Sequence, residues 1–216
     1  MEQIQQRCEA VIEKLKQNGM TGTFVPTAAD VRGEVESLLQ PGDSIGLGGS
    51  VTLNQCGLLD VVRRPEYRLF DRYAPGMTAE QVQQCLRDSL SADVFLSGCN
   101  AITEDGVLYN VDGRANRVAA LVFGPKRVIL VAGYNKIVPD LATAVERVRT
   151  VAAPLNAKRL NKRTYCAAEG RCVACGKPMG AGCTSPDRIC CDFVVSGAQG
   201  RTGRIHVILV GEQLGY

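Results

Sequence analysis

Six cysteines lie close together near the end of this 216-residue sequence, between residues 166 and 191. They are Cys166, Cys172, Cys175, Cys183, Cys190 and Cys191. Cys172 and Cys175 form a C-x2-C pair, a spacing that lets two thiolates converge on one metal from a tight turn. The surrounding segment is rich in glycine and has no lasting periodicity. The group therefore predicts a metal site, with a disulfide-stapled loop or unconnected free thiols as the alternatives.

The residue types do not decide which metal these cysteines hold, because zinc and iron–sulfur clusters both accept four thiolates. Zinc ribbons usually pair two C-x2-C turns, and this sequence contains only one, which favours an iron–sulfur cluster over zinc. The remaining four cysteines are dispersed among apolar residues, which predicts that they pack as small buried side chains. They are Cys8, Cys56, Cys85 and Cys99.

A glycine-rich run at residues 46–52, Gly-Leu-Gly-Gly-Ser-Val-Thr, separates a predicted strand from a helical pattern. Gly48 and Gly49 allow a tight turn and close approach of the backbone to a ligand, and Ser50 and Thr52 add hydroxyl donors. Free N–H groups at the start of a helix can also face an anion. The spacing matches neither G-x-G-x-x-G nor a Walker A loop, so we expect a small anionic ligand here, with plain strand–helix packing as the alternative.

Two further polar runs, residues 97–106 and 110–117, follow a predicted strand end, which is where open α/β sheets bind ligands. The candidate ligand-binding residues outside the glycine-rich run are Asn100, Thr103, Asp112, Asn116, Arg117 and Lys136. Asp112 is expected to cap the helix that carries Arg117, whose guanidinium could bind a carboxylate or phosphate. Glu104 is a candidate acid–base group or nucleophile, although the E-D-G sequence there is also an ordinary hairpin turn.

The elements that must position these residues alternate between strand and helix patterns through residue 155. Predicted strands lie at 22–25, 44–47, 69–70, 93–96, 107–109, 128–131 and 205–210, and predicted helices at 4–15, 31–39, 53–59, 78–86, 117–123 and 139–151. This alternation predicts an α/β fold with a mostly parallel sheet and helices on both faces. We interpret residues 157–204 as a Cys-rich, metal-binding insertion before the last strand of a single domain spanning 1–216. His206, inside that last strand, is expected to be structural.

Composition excludes several classes of function. The formal charge of +3, from 25 basic and 22 acidic residues, is too balanced to suggest a nucleic-acid partner. No apolar run approaches the roughly 20 residues that a membrane helix needs, and the charged, amphipathic N-terminal stretch does not resemble a signal peptide. We therefore expect a cytoplasmic protein, in a compartment that keeps thiols reduced.

Several segments taken together resemble the LUD-domain family, including its lactate-utilisation protein C type. They are GGSVTL at 48–53, ADVFL at 92–96, NAITEDG at 100–106, NRVAA at 116–120, FGPK at 123–126, NKIV at 135–138, VAAPLN at 151–156 and SPDRIC at 185–190. The resemblance covers nearly the whole chain. It implies a Rossmann-like fold similar to the NagB/RpiA/CoA-transferase superfamily. It also implies a link to the oxidation of L-lactate to pyruvate alongside iron–sulfur partner proteins.

The resemblance further implies a set of metal ligands, because members of this type look to carry a C-x5-C-x2-C…S-P-D-R-I-C pattern. That pattern falls on Cys166, Cys172, Cys175 and Cys190, as ligands of a [4Fe–4S] cluster. Here residues 176–184 look extended and bring in Cys183, and Cys191 adjoins the last cysteine of the pattern. These two cysteines therefore remain additional candidates. The family offers no established catalytic residue to carry over.

These observations lead to one main hypothesis and two alternatives. The main hypothesis is a LUD-domain protein that acts in the oxidation of lactate or a related hydroxy acid, binding a small anionic ligand and an iron–sulfur cluster. Iron–sulfur redox proteins are its expected partners, and a homo-oligomer is compatible with the sequence. The first alternative is a zinc-stapled binding or regulatory module without catalysis. The second is a CoA- or acyl-transferase-like enzyme with Glu104 as nucleophile.

Overall fold

Ten strands form two sheets in the computed structural model, which describes all 216 residues. The strands are β1 (Thr21–Val25), β2 (Ser44–Leu47), β3 (Arg68–Leu69), β4 (Val94–Gly98), β5 (Ala101–Thr103), β6 (Leu108–Asp112), β7 (Arg127–Gly133), β8 (Ile137–Val138), β9 (Asp192–Ser196) and β10 (Ile205–Val210). The larger sheet has the order β1-β10-β7-β4-β2-β3, and all its pairings are parallel. The predicted α/β fold with a parallel sheet is therefore confirmed.

Helices cover both faces of this sheet. They are α1 (Glu2–Gln17), α2 (Val31–Leu38), α3 (Val51–Gln55), α4 (Leu58–Val62), α5 (Ala79–Asp88), α6 (Asn116–Val122), α7 (Leu141–Arg147), α8 (Ala153–Arg159) and α9 (Tyr165–Glu169). Successive side chains of β7 point to opposite faces. Ile129 and Val131 pack with α2, α3 and α4, whereas Val128 and Leu130 pack with α1 and α6. None of the helices is long and apolar enough to cross a membrane.

The smaller sheet has the order β8-β5-β6-β9, and it joins the Cys-rich segment to the rest of the chain. The predicted hairpin is present, because β5 and β6 pair in antiparallel fashion. β9 comes from residues 192–196 and pairs antiparallel with the whole of β6. Residues 157–204 thus contain a short helix, α9, and a strand that the sequence analysis did not predict.

The helix predicted over 139–151 is interrupted by a π-helical segment at Val148–Ala152, between α7 and α8. Val145 and Val148 are buried, but Val151 is 37% exposed and Ala152 is buried instead. A π-helical turn inserts an extra residue, so the buried stripe moves one position along the chain. Val151 therefore does not belong to the buried stripe of Val145 and Val148, in which a regular helix over 139–151 would have placed it.

The dispersed cysteines and the single histidine lie inside the fold, as predicted. The buried cysteines outside the C-terminal cluster are Cys8, Cys56, Cys85 and Cys99. The two ring nitrogens of His206 lie 2.8 Å and 3.1 Å from the hydroxyls of Thr21 and Thr23 on the neighbouring strand. These hydrogen bonds give the histidine a structural role.

Candidate functional site

A cleft of about 460 Å³ opens at the carboxyl ends of β2, β4 and β7. The residues that follow the strand ends form its walls: residues 49–52 follow β2, residues 98–100 lie at the end of β4, and Lys136 follows β7. Parallel α/β sheets bind ligands at this edge, because the connections that leave the strands diverge there. The cleft brings together eight predicted residues, which are Gly49, Ser50, Thr52, Asn100, Asp112, Asn116, Arg117 and Lys136.

Lys136 forms the floor of the cleft and is only 3% exposed. Its Nζ donates a hydrogen bond to Thr52 Oγ1 at 3.0 Å, and this is its one hydrogen bond within the protein. Burial lowers the pKa of the Lys136 ammonium to about 8, and the Cys99 thiol partly opposes that shift. An ammonium has three donors, so this buried cation keeps donors for a ligand, in surroundings that screen its charge poorly.

Two more donors lie in the cleft beside the lysine. Ser50 Oγ accepts from the Leu53 N–H at 3.3 Å, which leaves the hydroxyl proton available to a ligand. Asn100 Oδ1 accepts from the Val111 N–H at 2.9 Å and from Arg117 Nη2 at 2.8 Å. These bonds fix the amide and leave its Nδ2 without a partner. Because α3 has only five residues, we assign anion binding to side chains rather than to the start of this helix.

Arg117 supports the cleft wall from inside. It donates to Asn110 Oδ1 at 2.6 Å, to Asn100 Oδ1 and to the Val111 carbonyl oxygen at 2.8 Å, and it lies 3.7 Å from Asp112. Burial lowers the pKa of the guanidinium, and Asp112 opposes the shift. Both Nη atoms already donate within the protein. Arg117 is therefore a positioning residue, not the direct anion ligand that its place in the sequence suggested.

Asp112 caps the start of α6, as predicted. One carboxylate oxygen accepts from the Val118 N–H at 3.3 Å, and the other accepts from the N–H groups of Gly113 and Arg114 at 2.7 Å and 3.2 Å. The turn closes through Ala115, which adopts a left-handed conformation with a φ of 60°. The carboxylate is thus engaged by backbone donors, and a tight turn brings residues 113–116 to the cleft.

Basic side chains dominate the lining of the cleft. They are Arg72, Arg114, Arg117, Lys136, Arg159, Lys162 and Arg188. The side-chain carboxylates that line it belong to Asp112 and Asp187, and Asp187 accepts a hydrogen bond from the Arg163 N–H at 2.9 Å. A concave surface with this excess of one charge concentrates the field and attracts the opposite charge. The cleft is therefore suited to an anion.

A second cavity, of about 30 Å³, is lined by four of the six clustered cysteines. They are Cys166, Cys172, Cys183 and Cys190. Apolar side chains from α7, β6 and β9, among them Tyr109, Val145 and Phe193, form much of the remaining wall. Burial, followed by the neighbouring Cys166 and Cys172 thiols, raises the pKa of Cys190 to about 12. Without a compensating cation, Cys190 is therefore a neutral thiol at physiological pH.

Cys175 and Cys191 lie outside this cavity. Cys175 faces Glu146, whose pKa is lowered chiefly by the Gly176 N–H at 3.0 Å, with the Cys175 thiol contributing less. Cys191 is exposed, and its Sγ lies 3.7 Å from the Arg188 carbonyl oxygen. No three His, Cys, Asp or Glu side chains stand together in an arrangement that would hold a metal ion. The four cavity thiols are suitable donors for a thiolate-ligated centre, but they are not arranged around a metal position in this structure.

The cleft and the cysteine cavity share a wall made of Arg188 and Ile189. Arg188 donates to the carbonyl oxygens of Cys190 at 2.7 Å and Cys183 at 3.2 Å. On the cleft side, a Cβ added to Gly113 would lie 3.2 Å from the Ile189 backbone. Two residues therefore separate the cleft from the cysteines.

Comparison with known proteins identifies the family of this chain. The family model described as the LUD domain matches residues 8–210. The chain belongs to the LUD domain family. Its structure is similar to the crystal structure of a DUF162 family protein from Deinococcus radiodurans, with 18% identity over 96% of this chain and 98% of that chain and a TM-score of 0.51. It also matches eIF2B beta from Chaetomium thermophilum at 15% identity over 54% of this chain and 44% of that chain, with a TM-score of 0.36. No curated protein matches it.

Three predicted residues of this LUD domain protein do not line the cleft. Gly48 packs against the Ser97 side chain, where a Cβ would not fit. Thr103 is buried and bonds within the β5–β6 hairpin. Glu104 lies in the turn of that hairpin, and its half-exposed carboxylate forms an ion pair with Arg7 at 2.9 Å. The nucleophile of the transferase alternative therefore lies outside the cleft.

Other residues of the cleft were missed by the sequence analysis. Arg72 follows β3, Arg159 and Lys162 lie at the end of α8, and Tyr216 lies beyond β10. The Tyr216 hydroxyl is buried and has no hydrogen-bond partner. No local pattern marks these residues, since they come from distant segments that only the tertiary fold brings together.

Proposed function

We propose that this protein takes part in the oxidation of lactate or a related hydroxy acid by binding that acid, or its oxo-acid product, in the cleft. Membership of the LUD domain family is consistent with a role in lactate utilisation. The observation that carries the proposal is the group of hydrogen-bond donors around the buried Lys136 ammonium. A hydroxy acid presents carboxylate oxygens and a neighbouring hydroxyl, and all of these can accept such bonds.

Each residue at the floor has a distinct role in this proposal. Lys136 supplies the charge that balances the carboxylate, and the hydroxyls of Ser50 and Thr52 donate to its oxygens. The Asn100 Nδ2 donates to the hydroxyl or oxo oxygen of the ligand. Arg117 acts through Asn100, because it holds the amide oxygen and thereby turns the amide nitrogen toward the cleft.

The same proposal places an iron–sulfur cluster at the cysteine cavity. Cys166, Cys172 and Cys190 would provide thiolates, with the fourth from Cys183 or Cys175. When bound, an iron–sulfur cluster supplies electron transfer. Support comes from the four thiols that share one apolar cavity and from the thin wall between that cavity and the cleft. We expect a reducing, cytoplasmic location and iron–sulfur redox partners, in keeping with ten free cysteines.

Zinc is the second candidate for the cysteine cavity, because a single ion would need less rearrangement of the four thiols than a four-iron cluster. Either centre would require the cavity thiols to move closer together than they are in this structure, and a four-iron cluster also needs more space than the cavity of about 30 Å³. Zinc would stabilise residues 166–190 without carrying electrons.

Calorimetric titration with L-lactate and pyruvate tests the function proposed for the cleft. We expect both to bind the wild-type protein, and Lys136→Met to abolish binding because it removes the charge at the floor. Lys14→Met is the matched control, since Lys14 is an exposed lysine on α1 that does not line the cleft. Absence of binding to the wild-type protein, or binding that survives in Lys136→Met, would overturn the proposal.

Metal analysis of protein purified without oxygen tests the cysteine cavity. An iron–sulfur centre predicts iron and acid-labile sulfide with visible absorption, lost in Cys190→Ser and retained in Cys85→Ser. Cys85 is the matched control because it is buried and distant in sequence from the cavity cysteines. Stoichiometric zinc without iron would instead support the second candidate, and protein without either metal would contradict both.

A further inference from the structure

The cleft is larger than a three-carbon hydroxy acid requires. Its volume of about 460 Å³ lies within the range of roughly 300–1,000 Å³ that is typical of sites for much larger ligands. The donors assigned to the hydroxy acid surround Lys136, which is 3% exposed, whereas Arg114 and Arg159 are exposed. A ligand that fills the cleft would therefore extend from the buried amine to the basic side chains at its opening.

Three of the basic side chains that line the cleft form no ion pair. We call them the mouth cations, and they are Arg114, Arg159 and Lys162. Lys162 is nonetheless close enough to Asp187 to help the Arg163 N–H lower the pKa of that carboxyl. The side-chain carboxylates that line the cleft form their ion pairs elsewhere, Asp112 with Arg117 at 3.7 Å and Asp187 with Arg163 at 3.4 Å. The mouth cations therefore retain their charge and most of their hydrogen-bonding capacity.

The individual contacts of the mouth cations show which of their hydrogen-bond donors remain free for a ligand. The Arg159 guanidinium donates only to the neutral Asn156 side-chain oxygen, at 2.8 Å and 3.2 Å. Arg114 is engaged through its backbone N–H by Asp112, which leaves its guanidinium free. Guanidinium groups bind phosphate oxygens through pairs of parallel N–H bonds, and lysine adds a point charge. A phosphate monoester carries a charge of about −1.5 to −2 at pH 7, so three cations balance it better than they balance a singly charged carboxylate.

We propose that the mouth cations form a second anion subsite that binds a phosphate group. The ligand of the cleft is then a phosphorylated hydroxy acid, with its carboxylate at Lys136 and its phosphate at Arg114, Arg159 and Lys162. The carboxylate half of this assignment rests on the proposed function. The phosphate half rests on the mouth cations alone.

Glycerate and 3-phosphoglycerate test the subsite, because these two hydroxy acids differ only by the phosphate. By calorimetry we expect 3-phosphoglycerate to bind at least about tenfold more tightly than glycerate, as charge-assisted hydrogen bonds would give. The double substitution Arg114→Gln and Lys162→Gln should remove this tenfold difference, because it should weaken 3-phosphoglycerate binding much more than glycerate binding. Lys158→Gln is the matched control, since Lys158 is exposed and adjoins Arg159 but does not line the cleft.

The possible outcomes distinguish a failure of the phosphate subsite from a failure of the proposed hydroxy-acid function. Equal affinities for the two acids, or a gain that survives the double substitution, would overturn the phosphate subsite even where glycerate binds. Inorganic phosphate that binds through the mouth cations, with no binding of glycerate or lactate, would support the subsite and overturn the hydroxy-acid function. If Lys158→Gln also lost the tighter binding of 3-phosphoglycerate, the effect would come from the general positive charge of this surface, and the subsite would be overturned.

Discussion

The buried ammonium of Lys136 favours the proposed ligand binding but lowers the stability of the fold. Its burial places the pKa near 8, below the value of about 10.4 in the unfolded chain. At pH 7 folding must therefore desolvate an ammonium. This cost decreases as the pH rises between about 8 and 10.4, where the unfolded chain binds more protons than the folded one. We expect Lys136→Met to raise the free energy of unfolding by about 1–3 kcal/mol at pH 7.

Urea unfolding at pH 7 and pH 10.5 measures this effect, and the advantage of Lys136→Met should shrink at the higher pH. Four other groups face the amine, and these are Cys99, Arg147, Arg117 and Cys56. Lys14→Met serves as the control because its exposed side chain should give little change at either pH. A Met variant that is less stable than the wild-type protein at pH 7 would contradict the argument.

Cys183 and Cys175 compete for the place of the fourth metal ligand, and the geometry favours Cys183. Cys183 lines the cavity with three other cysteines, whereas Cys175 faces Glu146. We expect Cys183→Ser to lose most of the bound metal and Cys175→Ser to retain it, as measured by metal content per chain in protein purified without oxygen. The opposite result would restore the ligand set that the family resemblance implies.

At the scale of elements, the sequence predicts those strands that their own residues stabilise, and it misses those that depend on pairing with distant residues. The mostly apolar segments SIGL and IHVILV predict β2 and β10 at their observed bounds, Ser44–Leu47 and Ile205–Val210. β5 and β8 have three and two residues, too few to show a period, and both depend on pairing: β5 pairs with β6 and β8, and β8 pairs with β5. The residues of the cleft likewise divide into those that the sequence predicts and those that it does not. Residues next to strand ends were predictable, whereas Arg159 and Lys162 were not, since their place depends on how α8 packs.

The loop at residues 177–181 is anchored by one buried side chain from the π-helical segment. The Arg149 guanidinium, 6% exposed, pairs with Glu146 and donates to the backbone carbonyl oxygens of residues 177, 178, 179 and 181. Arg149→Met removes all these donors. We expect it to lower the free energy of unfolding by about 2–4 kcal/mol and to speed amide exchange in this loop.

Hydrogen exchange read by mass spectrometry distinguishes this anchor from a general loss of stability. Exchange in residues 177–184 should accelerate more in Arg149→Met than exchange in β7, which lies in the centre of the larger sheet. Arg163→Met is the matched control, because the Arg163 side chain is 90% exposed. Unchanged protection of the loop in Arg149→Met would show that other contacts hold it.

At the scale of the whole molecule, the last strand completes the core. β10 lies between β1 and β7, so β1 cannot join the larger sheet until β10 has paired with β7. Five of its apolar side chains are at most 1% exposed, and they are Ile205, Val207, Ile208, Leu209 and Val210. At about 1.5–3 kcal/mol for each buried side chain, their contribution is about 10 kcal/mol, comparable with the whole stability of a typical domain.

Two truncations test whether β10 is indispensable. A chain that ends at Arg204 lacks the strand, leaves β1 without a partner and opens the apolar layers on both faces of the sheet, so we expect no cooperative unfolding by circular dichroism. A chain that ends at Gly211 keeps β10 and loses Leu214 from one layer. It should fold with a lower melting temperature and bind lactate less well, because Gly215 and Tyr216 line the cleft. Cooperative unfolding of the shorter chain would mean that the remaining strands form a sheet without β10.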